Sequence, residues 1–383
     1  MSVTAAKGFT AAGIAAGIKE NGNPDLALVV NGGPRLDAAG VFTSNRVKAA
    51  PVLWSEQVLR GGQVSAVVLN SGGANACTGA PGFQDTHATA ERVAGALGQS
   101  AAEVAVASTG LIGLRLPMDS LLAGVDTAAE SLSPHGGEKA AIAIKTTDSV
   151  HKTAVVEAAG YTVGGMAKGA GMLAPGLATM LVVLTTDAEV PAAELDSALR
   201  AATRTTFDRV DSDGCMSTND TVLLLASGAS EVRPEQAEFA EAVRALCADL
   251  ALQLVRDAEG ASKDIRIEVV GAASEDEAVE VGRSIARNNL LKCALHGEDP
   301  NWGRVLSAIG TTSATFDPDE LNVAINDVWV CRKGQVGEDR SLVDMRYREV
   351  RITADLAAGQ ETAVIWTNDL TADYVHENSA YSS

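Results

Sequence analysis

Positive charge is scarce in this chain of 383 residues: 30 Lys and Arg stand against 49 Asp and Glu, for a formal net charge of −19. A field of this sign repels nucleic acid and anionic membrane surfaces, so we expect neither as a partner. Long apolar runs are also missing, and no segment approaches the ~20 residues of a membrane-spanning helix. The first 13 residues contain one Lys and no apolar block, unlike a signal peptide. The sequence therefore predicts a cytoplasmic protein.

Cysteine and aromatic residues are few. The cysteines are odd in number and widely spaced, at positions 77, 215, 247, 293 and 331. They form no C-x-x-C or Cys/His cluster, so the sequence predicts neither a disulfide framework nor a metal site. Aromatic residues make up 4% of the chain against 46% hydrophobic residues, so the core must consist mainly of Ala, Val, Leu and Ile.

The length of the chain predicts two domains. We place them at 1–263 and 264–383, because a new strand–helix unit opens after Lys263. Periodicity predicts helices over 85–97, 190–207, 234–257 and from a Ser274–Glu277 capping box to about residue 291. Apolar or alternating runs predict strands at 26–30, 64–69, 104–107, 155–168, 180–184, 221–225, 265–269, 321–331 and 362–367. Residues 8–70 are expected to form short strands and turns. The apolar run 140–144 is expected to be a strand that ends near Thr146.

What the sequence does contain is an unusual stretch from Lys168 to Asp187. Its first half holds three glycines and Pro175, so it cannot be a regular helix or a central strand. Met180–Leu184 is an unbroken apolar run, as expected for a strand buried on both faces. Thr179 stands where the loop meets the strand. A hydroxyl fixed on one side and open on the other is well placed to react.

Three interpretations of this stretch compete. The first is a loop entering a core strand, with Thr179 simply capping it. The second is dinucleotide binding, because Gly169, Gly171 and Ala174 spell G-x-G-x-x-A. That fingerprint needs a strand before it and a helix opening from its end, and Pro175 followed by a strand-like run argues against this context. The third is a threonine that processes its own chain.

Residues 168–181, K-G-A-G-M-L-A-P-G-L-A-T-M-L, resemble the cleavage motif of the ornithine acetyltransferase (glutamate N-acetyltransferase, ArgJ-type) family. The resemblance extends over essentially the whole chain. In that family the precursor cuts itself between the Ala and the Thr of the motif, here Ala178 and Thr179. The resemblance thus implies an alpha chain 1–178 and a beta chain from 179, whose N-terminal Thr carries the acetyl group.

The resemblance also implies a fold and a reaction. The fold is α+β, a layered helix–sheet–sheet–helix sandwich with a smaller C-terminal α/β domain whose tail returns to the active site. The reaction moves acetyl from N2-acetylornithine to glutamate, giving ornithine and N-acetylglutamate in arginine biosynthesis. No cofactor is implied, and acetyl-CoA stays open as a further donor. The cleaved chains would pair as an α2β2 assembly. Small departures from the family pattern, at Gly176 and at Gly214-Cys-Met, concern local geometry.

Site residues follow from the same resemblance. The oxyanion hole falls on Thr109 and Gly110, within the S-T-G-L-I-G segment 108–113. Such donors stabilise the charge that develops on a carbonyl oxygen during acyl transfer. The implied substrate-binding residues are Thr146, Lys168, Thr179, Glu259, Asn378 and Ser383.

Two of these assignments also gain support from residue chemistry. Glu259 follows a long amphipathic helix, where the macrodipole disfavours negative charge, so the acid is expected to meet a cationic partner. An N-terminal Thr179 would supply its own base, because an α-amine has a pKa of about 7.7–8.0.

Two other protein classes remain as alternatives. One is a self-processing N-terminal-threonine aminopeptidase or amidase of similar architecture, in which water takes the acyl group. The match at Lys168, Glu259, Asn378 and Ser383 favours the transferase. The other is a binding protein that never cleaves, and the intact Ala-Thr junction argues against it.

Two polar segments invite a catalytic or metal-binding interpretation. His296 and Glu298 lie in a polar turn over 296–304, and acidic residues are dense in the loop 212–220. We interpret both segments as structural, with the loop satisfying buried backbone groups near the site.

Overall fold

A computed structural model of the chain describes residues 2–174 and 180–380. Ala178 and Thr179, the predicted cleavage junction, lie outside the described residues, and so does Ser383. None of the helices that the structure describes is long and apolar enough to cross a membrane.

The described chain falls into two compact units. The first comprises the residues up to Asp208 together with Cys215–Asp257. The second comprises Arg209–Gly214 and the residues from Ala258 onward. The domain boundary predicted from the sequence, between residues 263 and 264, stays a prediction. The short excursion of 209–214 into the second unit has no signal in the sequence.

Two β-sheets form the centre of the first unit. Its strands are β1 Phe9–Ile14, β2 Leu26–Asn31, β3 Ala38–Phe42, β4 Ala66–Ser71, β5 Val104–Thr109, β6 Lys152–Glu157, β7 Thr162–Lys168, β8 Leu181–Thr186 and β9 Thr221–Ala226. Its helices are α1 Ala50–Val58, α2 Gly79–Leu97, α3 Met118–Glu130, α4 Gly137–Ala143, α5 Ala192–Thr205 and α6 Gln236–Arg256. One sheet has the order β1-β2-β4-β5 and the other β3-β9-β8-β7-β6.

The side-chain alternation of the strands builds the layers. On β4, Val67 faces a core shared with Val183 of β8 and Leu223 of β9, whereas Val68 faces a separate core with α2 and α3. The opposite face of the second sheet is covered by α5 and α6. These layers confirm the predicted α+β helix–sheet–sheet–helix sandwich. Both faces of β8 and β9 are therefore buried, which explains their unbroken apolar runs.

The second unit is built on one mixed sheet. Its strands are β10 Asp264–Ala272, β11 Asn322–Ile325, β12 Val328–Arg332, β13 Gln335–Val336, β14 Glu349–Asp355 and β15 Glu361–Asn368. Its helices are α7 Glu275–Ala286, α8 Asn289–His296, α9 Trp302–Ile309 and α10 Ala372–Ala380. The strand order is β13-β12-β11-β14-β10-β15. Alternate residues of β10, such as Ile265 and Ile267, pack with Val281 and Ile285 of α7.

Several local predictions differ from the structure. The runs predicted as strand at 155–168 and 321–331 each contain two strands, β6 with β7 and β11 with β12. Residues 140–144 lie largely in helix α4, because Ala, Glu and Lys are strong helix formers and the run lacks the β-branched residues of a strand. Helix α1 interrupts the segment expected to be strands and turns, and the start signal that was missed is Pro51 in its first turn. The helix predicted to reach residue 291 ends at Ala286, because Asn288 caps a new helix by accepting from the Leu291 N–H at 3.0 Å.

Candidate active site

The carboxyl ends of the parallel strands β4 and β5 lie side by side in the first unit. Thr109 ends β5, and its carbonyl accepts the N–H groups of Gly72 and Gly73 at 2.9 and 3.0 Å. Gly110 follows with φ +131°, and a Cβ there would lie 2.5 Å from the Gly73 nitrogen. Position 110 therefore requires glycine, both for its backbone angle and for the space available.

Buried amides hold this turn in place. Asn219 donates from Nδ2 to the carbonyls of Ala74 and Ser108, at 2.6 and 2.8 Å. Asn70 donates to the Gly73 carbonyl at 3.0 Å and accepts from the Ser108 hydroxyl. The backbone around the predicted oxyanion residues is thus fixed by side chains that sequence reasoning did not assign to the site.

Lys168, at the end of β7, lies beside Thr109 at the end of β5. Its side chain is buried, with 1% of its surface exposed, and Nζ lies 3.5 Å from Thr109 Oγ1. The structure therefore brings together two predicted site residues that are 59 positions apart in the chain. A buried ammonium is stable only with a compensating negative charge.

Asp148 supplies that charge. Its Oδ1 accepts from the Gly169 N–H and from Lys152 Nζ, both at 2.7 Å, and its Oδ2 accepts from the Thr146 N–H at 3.0 Å. Burial opposes ionisation of Asp148, but the Lys168 and Lys152 ammonium groups outweigh it and hold its pKa below the usual range. The same carboxylate therefore orients Thr146 and balances Lys168.

Lys152 extends this charge network. It is fully buried and also donates to Asp257 Oδ2 at 2.6 Å, so its ammonium lies between two carboxylates. Sequence reasoning assigned no role to Asp148, Lys152 or Asp257. The only signal available was the spacing of Asp148 and Lys152 by four residues around the start of a strand, and this spacing does not mark either residue as buried.

Asp220 contacts Met180, the first described residue after the predicted cleavage junction. Its side chain is buried, and Oδ1 accepts from the Met180 N–H at 3.1 Å. Thr221 donates its N–H to the Met180 carbonyl at 3.0 Å, so β8 and β9 begin as a bonded pair. Satisfying a buried backbone group is the role that the sequence interpretation gave to the loop 212–220.

In the second unit, Glu259 and Asn378 are neighbours. Asn378 Nδ2 donates to Glu259 Oε2 and to the Tyr374 carbonyl, both at 3.0 Å. Gly260 has φ +60°, and a Cβ there would lie 2.2 Å from the Tyr374 nitrogen, so only glycine lets α10 approach so closely. The C-terminal helix therefore returns to the turn that carries the predicted substrate-binding acid.

Glu259 also lines a cavity of about 230 Å³ within this unit, together with Tyr374, Arg287, Lys292 and Asp369. Lys292 is buried and donates to Thr367 Oγ1 at 3.2 Å. Burial lowers the pKa of Lys292 to about 8, although neighbouring carboxylates oppose the shift. The cavity thus contains both positively and negatively charged side chains.

His296 and Glu298 make structural contacts. His296 Nδ1 lies 2.9 Å from Asp369 Oδ2, and Glu298 accepts from Lys263 Nζ at 3.0 Å. Lys263 also donates to the Met345 carbonyl at 2.6 Å, which joins the turn to the loop that precedes β14. Over residues 2–174 and 180–380, no group of three or more His, Cys, Asp or Glu side chains is arranged to hold a metal ion.

The fold and the geometry define a class of protein: a layered α+β sandwich in which a buried lysine and a hydroxyl meet a rigid Gly-rich turn, an arrangement compatible with acyl-group chemistry. A family model described as "ArgJ family" matches residues 10–383. The chain belongs to this family.

Individual relatives agree with the family match. The arginine biosynthesis bifunctional protein ArgJ of Streptomyces avermitilis is 83% identical over the whole of both chains, and that of Thermobifida fusca is 64% identical over the whole of both. Two solved structures are also similar to the chain. The ornithine acetyltransferase of Mycobacterium tuberculosis, complexed with ornithine, is 60% identical and covers 47% of this chain and 96% of its own, with a TM-score of 0.45. The arginine biosynthesis bifunctional protein argJ of Bacillus halodurans is 36% identical and covers 51% of this chain and 97% of its own, with a TM-score of 0.49.

Proposed function

We propose that this chain is a self-processing acetyltransferase that moves acetyl from N2-acetylornithine to glutamate through an acetyl ester on Thr179. Acetyl transfer in arginine biosynthesis follows from membership of the ArgJ family over residues 10–383. The observation that carries the proposed mechanism is the buried cluster in which Lys168 Nζ lies 3.5 Å from Thr109 Oγ1. Family membership does not favour the aminopeptidase alternative.

The proposed reaction begins with cleavage of the Ala178–Thr179 bond, which frees the α-amine of Thr179. This amine takes the hydroxyl proton while the oxygen attacks the acetyl carbonyl of the donor. Thr109 and Gly110 stabilise the oxyanion, and their fixed position against Gly73 supports this role, because preorganised donors need no rearrangement during the reaction. Ornithine leaves, and glutamate then accepts the acetyl group.

Substrate recognition is proposed to use both charges of an amino acid. Lys168 and Thr146, held by Asp148, bind the α-carboxylate that ornithine and glutamate share. Glu259 binds the side-chain ammonium of ornithine, and Asn378 orients Glu259 through their 3.0 Å hydrogen bond. Ser383 belongs to the same proposed set.

The ArgJ relatives are named bifunctional, which supports a second acetyl donor, and we propose acetyl-CoA for that role as a co-substrate. The protein would then need no resident cofactor. We further propose a cytoplasmic location and an α2β2 assembly of the cleaved chains. Acetyl-CoA and glutamate supplied without N2-acetylornithine test the second donor: N-acetylglutamate and free CoA are the expected products.

The decisive test of the mechanism is the intact mass of the purified protein under denaturing conditions. The wild type should give two chains, 1–178 and 179–383, whereas Thr179→Ala should stay at 39.3 kDa. Thr153→Ala, on the half-buried strand β6, is the matched control and should be cleaved normally. A wild-type protein that remains whole yet transfers acetyl at an ordinary rate would overturn the proposal.

A further inference from the structure

Lys19 lies in the connection between β1 and β2 of the first unit. Its backbone is fixed, because the buried Asp25 carboxylate accepts the N–H groups of Ile18 and Lys19, at 2.6 and 2.9 Å. Its side-chain stem packs against the turn after β4, where a Cβ added to Gly72 would lie 3.1 Å from Lys19 Cγ. Gly72 donates its N–H to the Thr109 carbonyl at 2.9 Å. The ammonium group of Lys19 therefore has a defined position beside the predicted oxyanion residues.

This ammonium group holds one particular peptide. Lys19 Nζ donates to the Lys145 carbonyl at 2.6 Å, 126 positions along the chain, and to the Pro24 carbonyl at 3.1 Å. The N–H of the same Lys145–Thr146 peptide donates to Asp148 Oδ2 at 3.0 Å. A cation on the carbonyl and an anion on the N–H thus fix both ends of the peptide dipole. Because hydrogen bonds to charged groups are roughly twice as strong as neutral ones, they set the orientation of this peptide firmly.

The charges around Lys19 also connect it with Lys168. Burial lowers the pKa of Lys19, the Asp25 carboxylate opposes the shift, the Lys168 ammonium adds to it, and the Asp148 carboxylate opposes it. Lys19 and Lys168 thus repel each other, while Asp148 attracts both. An anion bound beside them would relieve this repulsion, as the carboxylate proposed to bind at Thr146 and Lys168 would do.

We propose that Lys19 is a positioning residue for substrate recognition: by holding the Lys145–Thr146 peptide, it places Thr146 to bind the α-carboxylate of N2-acetylornithine and of glutamate. The proposal rests on the proposed function, in which Thr146 and Lys168 bind that carboxylate. Lys19 acts through the peptide and takes no part in the bonds that form or break. Its loss should therefore weaken substrate binding and leave self-cleavage and kcat nearly unchanged.

The test compares two acetyl donors that differ only in the α-carboxylate. N-acetyl-1,4-diaminobutane is N2-acetylornithine without that group, so it retains the acetyl amide and the terminal ammonium. Lys19→Met keeps the approximate length of the side chain but removes its charge and its N–H donors. Because a hydrogen bond to a charged group is worth about tenfold or more in an equilibrium constant, we expect kcat/KM for N2-acetylornithine to fall roughly tenfold, through KM. For the donor without a carboxylate, kcat/KM should change by less than about twofold.

Lys48→Met is the matched control. Lys48 is also half-buried in the first unit, and its ammonium pairs with Glu56, so the variant removes the same charge at another place. The ratio of the two kcat/KM values should stay at the wild-type value. All values are measured on fully cleaved protein, and partial misfolding lowers both values equally, so it cannot imitate the expected change in the ratio. If Lys19→Met gives no folded protein, Lys19→Gln replaces it, and if the donor without a carboxylate reacts too slowly, inhibition by 1,4-diaminobutane and by ornithine is compared instead.

Equal losses for both donors would overturn the proposal, because Lys19 would then support the fold of the site in general. An unchanged kcat/KM for N2-acetylornithine would overturn it as well, and so would a Lys19 variant that no longer cleaves itself. A wild-type protein that transfers no acetyl to glutamate from either donor would instead overturn the proposed function before any variant is compared, so the two failures are distinct.

Discussion

The contacts of Glu259 bear directly on its proposed role in substrate recognition. It accepts a hydrogen bond from Asn378 and lines a cavity that also contains Lys292 and Arg287. A carboxylate beside two cationic side chains has local partners, so its proposed preference for the ornithine ammonium must be tested against a structural role. The two half-reactions of the proposed mechanism separate these roles, because glutamate has no ammonium at that end.

Glu259→Gln should weaken the donor half-reaction selectively. The change keeps size and shape but removes a charge, and a charge-assisted hydrogen bond contributes about 1.5–3 kcal/mol. The value of kcat/KM for N2-acetylornithine should therefore fall roughly ten- to a hundredfold. Self-cleavage needs no substrate and should be unaffected. The measurement is single-turnover kinetics of each half-reaction, with preacetylated enzyme for the second, and equal losses in both would show that Glu259 only organises the cavity.

The residues that the sequence did not reveal share one property. Asp148 and Lys152 are buried, and burial is decided by contacts with distant segments. Lys152, for example, is paired with Asp257, 105 positions away. Thr109, Lys168, Glu259 and Asn378 stay predictions from the motif resemblance, which transfers positions directly, without any knowledge of the contacts.

At the scale of elements, the sequence predicts best those strands whose burial leaves a clear pattern of apolar residues. The apolar runs of β8 and β9 and the alternation of β10 follow from how many faces each strand buries, which the sequence records directly. Helices α1 and α4 were missed because they are short, with 9 and 7 residues, and offer too few turns for a period to emerge. The break between α7 and α8 was missed because a local cap at Asn288 overrides a continuing apolar pattern.

The turn after β5 allows a test of the proposed oxyanion hole. Gly110→Ala places a Cβ 2.5 Å from the Gly73 nitrogen, so the Thr109–Gly110 peptide must move. Because losing one oxyanion donor costs about 10²–10³ in kcat, we expect a loss of that order in acetyl transfer. Steady-state kinetics of a fully cleaved preparation provides the measurement.

Gly113→Ala is the matched control for this turn. Gly113 also has a positive φ, +87°, but a Cβ there would meet nothing within 4 Å. Only backbone strain of roughly 1–2 kcal/mol is expected, seen as a lower unfolding temperature with nearly normal kcat. If both variants lose kcat equally, strain in the turn rather than the position of the 109–110 peptide controls activity.

At the scale of the whole molecule, the predicted cut falls inside one sheet of the first unit. The strands β3, β6 and β7 precede position 178, and β8 and β9 follow it. The order β3-β9-β8-β7-β6 therefore places both later strands between earlier ones. On one side β8 pairs with β7 from Lys168↔Leu181 to Val163↔Thr186, and on the other side β9 pairs with β3.

This interleaving predicts that the cleaved chains cannot separate without unfolding. The five cysteines are free, so no disulfide joins the two chains, and the shared sheet and core must hold them together. Size-exclusion chromatography in increasing urea should show one particle until the far-UV circular dichroism of the sheet is lost, and two chains only beyond that point. Uncleaved Thr179→Ala is the control and should lose its circular dichroism over a similar urea range, because it contains the same strand pairs. Chains that separate in native buffer, or in urea too dilute to change the circular dichroism, would mean that the cut protein no longer keeps this strand order.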